Sequence, residues 1–263
     1  MDVDAYLRRI EYDGPLEPSA GTLRDLHRQH LYTVPFENLD IALGVPIVLE
    51  PGRLYDKIVV RKRGGFCYEL NGLFCALLTA LGFRVSMLSG CVRRDDGGFG
   101  PEFDHMLLKV ELAEPWLADV GFGESFVDPL PLAAGAQELE DGHLFGVNPE
   151  NGGWELYRRD SDGTEVPLYR FSDVAHQLSE YVPMCEYHQS SPESSFTRRR
   201  ICTMARKDGR ITLAGMRLIE AKNGTRKETL LGSEAELREC LRRHFDVELL
   251  GDANFDAKAQ TGQ

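Results

Sequence analysis

The apolar residues of this chain change their period at Gly82, and that switch sets what it can fold into. Before it, Leu70, Phe74, Leu77, Leu78 and Leu81 recur three and four apart. That spacing predicts one buried helical stripe, with Cys67 in the first turn and Gly82 placed to end the helix. After Gly82 the period falls to two. Residues 83–92, 105–112 and 116–120 read as strands, and 154–159 pairs with 166–171 around Asp162-Gly163. A barrel or curled antiparallel sheet is expected.

Either side of this switch the pattern is simpler. Leu23, Leu26, His27, His30 and Leu31 follow Ser19 and Thr22 at helical spacing, and Pro35 stops that helix by removing a backbone donor. Residues 135–153, rich in Gly, Asn, Asp and Glu, read as a long surface connection. Beyond Tyr181 a loop with Ser190-Ser191-Pro192 leads to hairpin signals at Asp208-Gly209 and Asn223-Gly224. Ser233 and Glu236 then make a capping box for a helix carrying Leu237, Cys240, Leu241 and Phe245. The expected units are a helical one over 1–84, a barrel over 85–185 and a small α/β module over 186–263, with a frayed polar end.

Chemistry concentrates where the period switches. Arg63-Gly64-Gly65-Phe66-Cys67 puts a thiol where a glycine turn feeds a helix. There the unpaired amides and the positive end of the helix dipole favour a thiolate, and they could also bind an oxyanion. Packing alone is the competing account of Cys67. Two partners weigh against it. His105 opens a strand, and Asp119 lies in the apolar run of the next, where an unpaired carboxylate would cost several kcal/mol. A turn within Ala113-Glu114-Pro115 puts Asp119 across from Lys109, on the face of His105 but roughly 13 Å along the strand. A tighter turn or a bulge must close that gap. Thiol, imidazole and carboxylate together make a nucleophile, a proton carrier and a group that orients the ring.

These segments resemble the arylamine N-acetyltransferases. The match runs through Arg63 to Cys67, Glu69, Asn71, Asp104-His105 and Asp119-Val120-Gly121-Phe122-Gly123, with support from 34–39 and 191–197. It covers roughly residues 5–250. The resemblance implies an α+β, papain-like cysteine-triad fold of three parts: an N-terminal helical bundle, a central antiparallel β-barrel and a C-terminal α/β lid. It implies a ping-pong reaction in which Cys67, assisted by His105 and Asp119, carries acetyl from acetyl-CoA to an arylamine, hydrazine or arylhydroxylamine. By the same resemblance Phe36, Tyr68, Phe122 and Phe196 line the acceptor pocket, core packing being the alternative. Gly121, Gly123, Ser195 and Thr197 lie near CoA. Acetyl-CoA is expected as co-substrate, and no metal. The long insertion of vertebrate members has no place here, which points to a bacterial type.

Composition narrows the rest. Thirty basic against forty-two acidic side chains give a net charge of −12, which disfavours nucleic acid and anionic membrane. No apolar run is long enough to cross a bilayer and the start lacks a signal peptide, so a cytoplasmic monomer or homodimer is expected. The six cysteines form no C-x-x-C pair. The basic runs 61–63, 93–94 and 198–200 read as solvated faces, with CoA phosphates as the alternative. The nearest rivals are a papain-like protease or transglutaminase and an amide synthase relative. A protease of that kind usually has a glutamine ahead of its cysteine, and none stands between Tyr55 and Cys67. A non-catalytic binding module is the third reading.

Overall fold

The computed structural model describes residues 1–138, 144–160 and 162–249. The polar end expected to fray lies outside them. Helices α1 (Val3–Arg9) and α2 (Ala20–Thr33) start on side-chain caps: Asp2 accepts from Ala5 N, and Ser19 Oγ accepts from Thr22 N at 3.1 Å. Strand β1 (Phe36–Glu37) follows, then α3 (Leu39–Leu43), α4 (Pro51–Tyr55) running into a π-helical turn at Asp56–Val60, and α5 (Cys67–Ala80). In α5 the residues from Cys67 to Cys75 are all buried, as befits a helix packed on every side.

An eight-stranded antiparallel sheet comes next. Its strands are β2 (Arg84–Val92), β3 (His105–Glu111), β4 (Pro115–Ala118), β5 (Leu130–Pro131), β6 (Gly135–Glu138), β7 (Leu144–Glu150), β8 (Gly153–Arg159) and β9 (Glu165–His176). In the order β5-β4-β3-β2-β9-β8-β7-β6 they curl into a nearly closed barrel. Alternation divides β3 between two cores. Leu107 points into the barrel with Leu88, Leu117, Leu156 and Tyr169, whereas Met106, Leu108 and Val110 pack against the helices. The expected long connection over 135–153 is instead mostly strand. Phe145 and Val147 fill the barrel, while glycine and asparagine mask their alternation.

A 3₁₀ turn, Leu178–Tyr181, leads into α6 (Val182–Ser190), a helix absent from the sequence pattern, and then α7 (Ser195–Arg198). Strands β10 (Ile201–Arg206), β11 (Gly209–Ala214), β12 (Arg217–Lys222) and β13 (Thr225–Leu230) form a meander under α8 (Glu234–Phe245). Asn223 and Gly224 both take positive φ, 49° and 76°, as a two-residue hairpin requires. Strand β1 joins this sheet beside β10 and also pairs with Gly65, so the turn just ahead of α5 is tied through β1 to the chain's last third. No described helix is long and apolar enough to cross a membrane.

Candidate active site

Cys67 is the first residue of α5 and is buried. The turn before it has no room for side chains. A Cβ on Gly64 would stand 2.0 Å from the Pro35 carbonyl oxygen, so a glycine is needed for the two segments to meet. Arg63, expected on a solvated face, is buried in an ionic cluster instead. Its guanidinium bonds Glu37 Oε1 at 2.7 Å and Asp40 Oδ1 at 2.9 Å. Lys57 Nζ reaches Asp40 Oδ2 at 2.8 Å and Glu69 Oε1 at 2.7 Å. Glu69 closes the chain of contacts by accepting from Phe66 N at 3.1 Å, which caps α5 one residue before the thiol. Buried carboxylates need such partners, and the cluster holds the glycine turn in shape.

Asp119 is the most heavily bonded side chain of the site. Its Oδ2 accepts from His105 Nε2 at 2.7 Å and from the Tyr169 hydroxyl at 2.9 Å. Its Oδ1 accepts from Asn71 Nδ2 at 2.8 Å and from Gly121 N at 2.9 Å. Burial pushes this carboxyl up, but the charge and hydrogen bonds of His105, with those of Asn71 and Gly121, hold it below the usual carboxylate range. An ionised Asp119 fixes a proton on His105 Nε2. Nδ1 is then the ring nitrogen left to take one.

The expected 13 Å gap between Asp119 and His105 does not occur. Lys109 stands opposite Leu117, not Asp119, because the three-residue turn is centred on Ala113, one residue earlier than expected, which moves every pairing by two positions. Asp119 also lies just past the end of β4, free of the ladder, so its side chain can swing to His105.

Helix α5 lies against the segments that carry both other residues. Cys67 accepts a hydrogen bond from the backbone of Met106, the residue after His105. A Cβ on Gly121 would stand 2.8 Å from Cys67 Cα, so the strand end carrying Asp119 runs directly over the thiol's backbone. Burial pushes the Cys67 thiol well above its ordinary value, and the charges of Asp119 and Asp104 add to this. The Met106 hydrogen bond works the other way and does not offset it. Burial therefore opposes the thiolate that the helix start favours.

The remaining expected site residues divide. Phe122 packs edge-on against the His105 ring, centroids 5.1 Å apart. Phe36 lies 6.2 Å from Phe196, which stands edge-on to Phe66. A Cβ on Gly123 would touch the Phe36 ring at 3.5 Å, so these aromatics border the same loop. Tyr68 has no exposed surface, and its hydroxyl donates to the Phe103 carbonyl at 2.6 Å. Ser195 is exposed at the start of α7. The Thr197 hydroxyl is engaged with the carbonyls of Ser191 and Ser194. Sequence reasoning gave no role to Tyr169, His27 or the Lys57 cluster. A polar residue inside an apolar pattern was the only available signal for each.

A family profile described as N-acetyltransferase matches residues 19–254. The arylamine N-acetyltransferase of Mycolicibacterium smegmatis is 31% identical over 271 residues, covering 100% of this chain and 98% of that protein. Among solved structures, the arylamine N-acetyltransferase from M. tuberculosis superposes with a TM-score of 0.90 at 31% identity, covering 97% of this chain and 96% of that one. The Mycobacterium marinum arylamine N-acetyltransferase in complex with CoA superposes with a TM-score of 0.87 at 31% identity, covering 94% and 93%.

Proposed function

The chain belongs to the arylamine N-acetyltransferase family, and from that premise we propose that Cys67 relays acetyl from acetyl-CoA to the nitrogen of an arylamine, hydrazine or arylhydroxylamine. One observation carries the residue assignment. Asp119 holds His105 by Nε2 at 2.7 Å, while Cys67 lies against Met106, next to His105, and Gly121, two residues beyond Asp119.

Because burial opposes a lone thiolate, the reactive form is an ion pair. The Cys67 proton passes to His105 Nδ1, and Asp119 stabilises the resulting imidazolium. The thiolate attacks the acetyl carbonyl, the amides at the start of α5 receive the oxyanion, and CoA leaves as its thiol with the proton from His105. The amine then attacks the Cys67 thioester, its proton moves to His105, and the amide departs as the thiolate returns. Phe36, Phe122 and Phe196 suit a flat aromatic acceptor.

In this reading the unit 1–84 brings the nucleophile, 85–185 brings base and acid, and 186–263 covers the approach, with Tyr68, Gly121, Gly123, Ser195 and Thr197 as further contacts. The relative solved with CoA supports CoA as the carrier. Six unpaired cysteines suit the cytoplasm.

Mass spectrometry tests the scheme. Incubation with acetyl-CoA should add one acetyl group at Cys67, and an aromatic amine should discharge it. Cys67→Ser should show no adduct. An adduct on another residue, or none, overturns the assignment, and peptide hydrolysis without CoA favours the protease reading.

A further inference from the structure

Residues 119–128 carry Asp119, Gly121 and Phe122 yet form neither strand nor helix. Their first three amides are each met by a side chain. Asp119 N–H donates to His27 Nε2 at 3.0 Å, Val120 N–H to Asn71 Oδ1 at 2.9 Å, and Gly121 N–H to Asp119 Oδ1 at 2.9 Å. The far end is held from the same helix, α2. His27 Nδ1 bonds the Val127 carbonyl at 2.8 Å, and Arg28 grips Asp128 with two nitrogens.

The chemistry of these contacts fixes the ring's form. An amide N–H can only donate and a carbonyl can only accept, so His27 must carry its proton on Nδ1 and a lone pair on Nε2. Protonation would set two donors face to face. The ring is fully buried, stacks on Phe126 at 5.7 Å and 9°, and meets Phe74 of α5 edge-on at 6.2 Å. Burial lowers its pKa, which keeps it neutral. A helix that supplies no other group to the reaction thus holds both ends of the loop bearing the acid.

We propose that His27 is a positioning residue for acyl transfer: by accepting from Asp119 N–H at Nε2, in a tautomer that its Nδ1 bond to the Val127 carbonyl fixes, it sets the Asp119 carboxylate against His105. The proposal rests on the triad reading. A misplacement of about 1 Å at a reacting group can cost roughly a hundredfold in rate, so the bridge should show in turnover.

Asparagine and glutamine separate its two halves, since asparagine can reproduce the Nδ1 donor and glutamine the Nε2 acceptor. His27→Gln should keep kcat within about threefold, and His27→Asn should lose about tenfold to a hundredfold with KM little changed. In an Asp119→Asn background that difference should vanish, because the bridge acts through Asp119. Equal kcat for the two variants, or a difference undiminished by Asp119→Asn, would overturn the proposal. A second measurement needs no variant: nitrogen chemical shifts of His27 near pH 7 should report a neutral ring protonated on Nδ1, and a proton on Nε2 would overturn it. Cys67 acetylation of the wild-type protein separates the two levels. No adduct defeats the triad reading and this proposal with it, whereas a normal adduct with indistinguishable variants defeats this proposal alone.

Discussion

Asn71, one turn beyond Cys67 on α5, donates from Nδ2 to Asp119 Oδ1 at 2.8 Å and accepts from Val120 N at 2.9 Å. The helix that carries the thiol therefore also fixes the acid. Asn71→Ala leaves the Val120 amide, the Met106 carbonyl and an Asp119 oxygen each short of a partner in a buried site, at a cost of about 1–3 kcal/mol. Chemical denaturation should read that loss. Steady-state kinetics should show a lower kcat with KM little changed, because the groups disturbed act on the ring and not on the bound amine.

Gly121 is needed for its lack of a side chain. In Gly121→Ala the new methyl would meet Cys67 Cα at 2.8 Å, Asn71 Nδ2 at 2.7 Å and the Cys67 carbonyl oxygen at 3.0 Å. Two of these three atoms are backbone, so the loop must lift off α5. Acetylation of Cys67 should slow at least tenfold, and a normal rate in single-turnover mass spectrometry would refute the close approach.

The cluster beside the turn before Cys67 sets two cations, Lys57 and Arg63, among Glu37, Asp40 and Glu69. Arg63→Met strands two carboxylates in the interior with Lys57 as their remaining cation. Breaking a buried ion pair from one side costs about 3–5 kcal/mol. The midpoint of urea unfolding should fall accordingly, and an unchanged midpoint would mean that the cluster contributes nothing to stability.

Acid should weaken the fold in two stages. His27 and His30 are both held below their ordinary value by burial, His30 the more strongly. Each is neutral when folded and gains a proton on unfolding once pH falls below about 6.5. Stability is therefore level above that pH and declines below it, by up to about 1.4 kcal/mol per pH unit for each histidine. Asp119 is held low, so its contribution persists above about pH 4 and is lost as pH falls through its folded value. Urea titrations between pH 8 and pH 5 should show the first decline, and His30→Leu should reduce its slope.

Several features were legible because their causes are local. The stripe from Leu70 to Leu81 gave α5, Ser19 gave the cap of α2, and Asn223-Gly224 gave its hairpin, since each pattern spans a few residues with a fixed period. The alternation of β3 put His105 and Leu107 on one face and Met106 on the other. Arg63 was misread because a charge run looks the same whether its last member faces water or a buried carboxylate. The Gly135 segment was misread because glycine and asparagine hide an alternation that burial still enforces.

The sequence by itself determined which residue types the candidate site draws on: a thiol at a helix start, a histidine at a strand start and an acid in the apolar run that follows. Tertiary structure alone decided their distances. The turn at 112–114 brought Asp119 two positions closer than counting allowed, and the end of β4 released it from the ladder. Its partners, His27, Asn71 and Tyr169, stand 92, 48 and 50 residues away along the chain. Contacts of that span leave no periodic trace, because they depend on how whole elements pack and not on the repeat of any one of them.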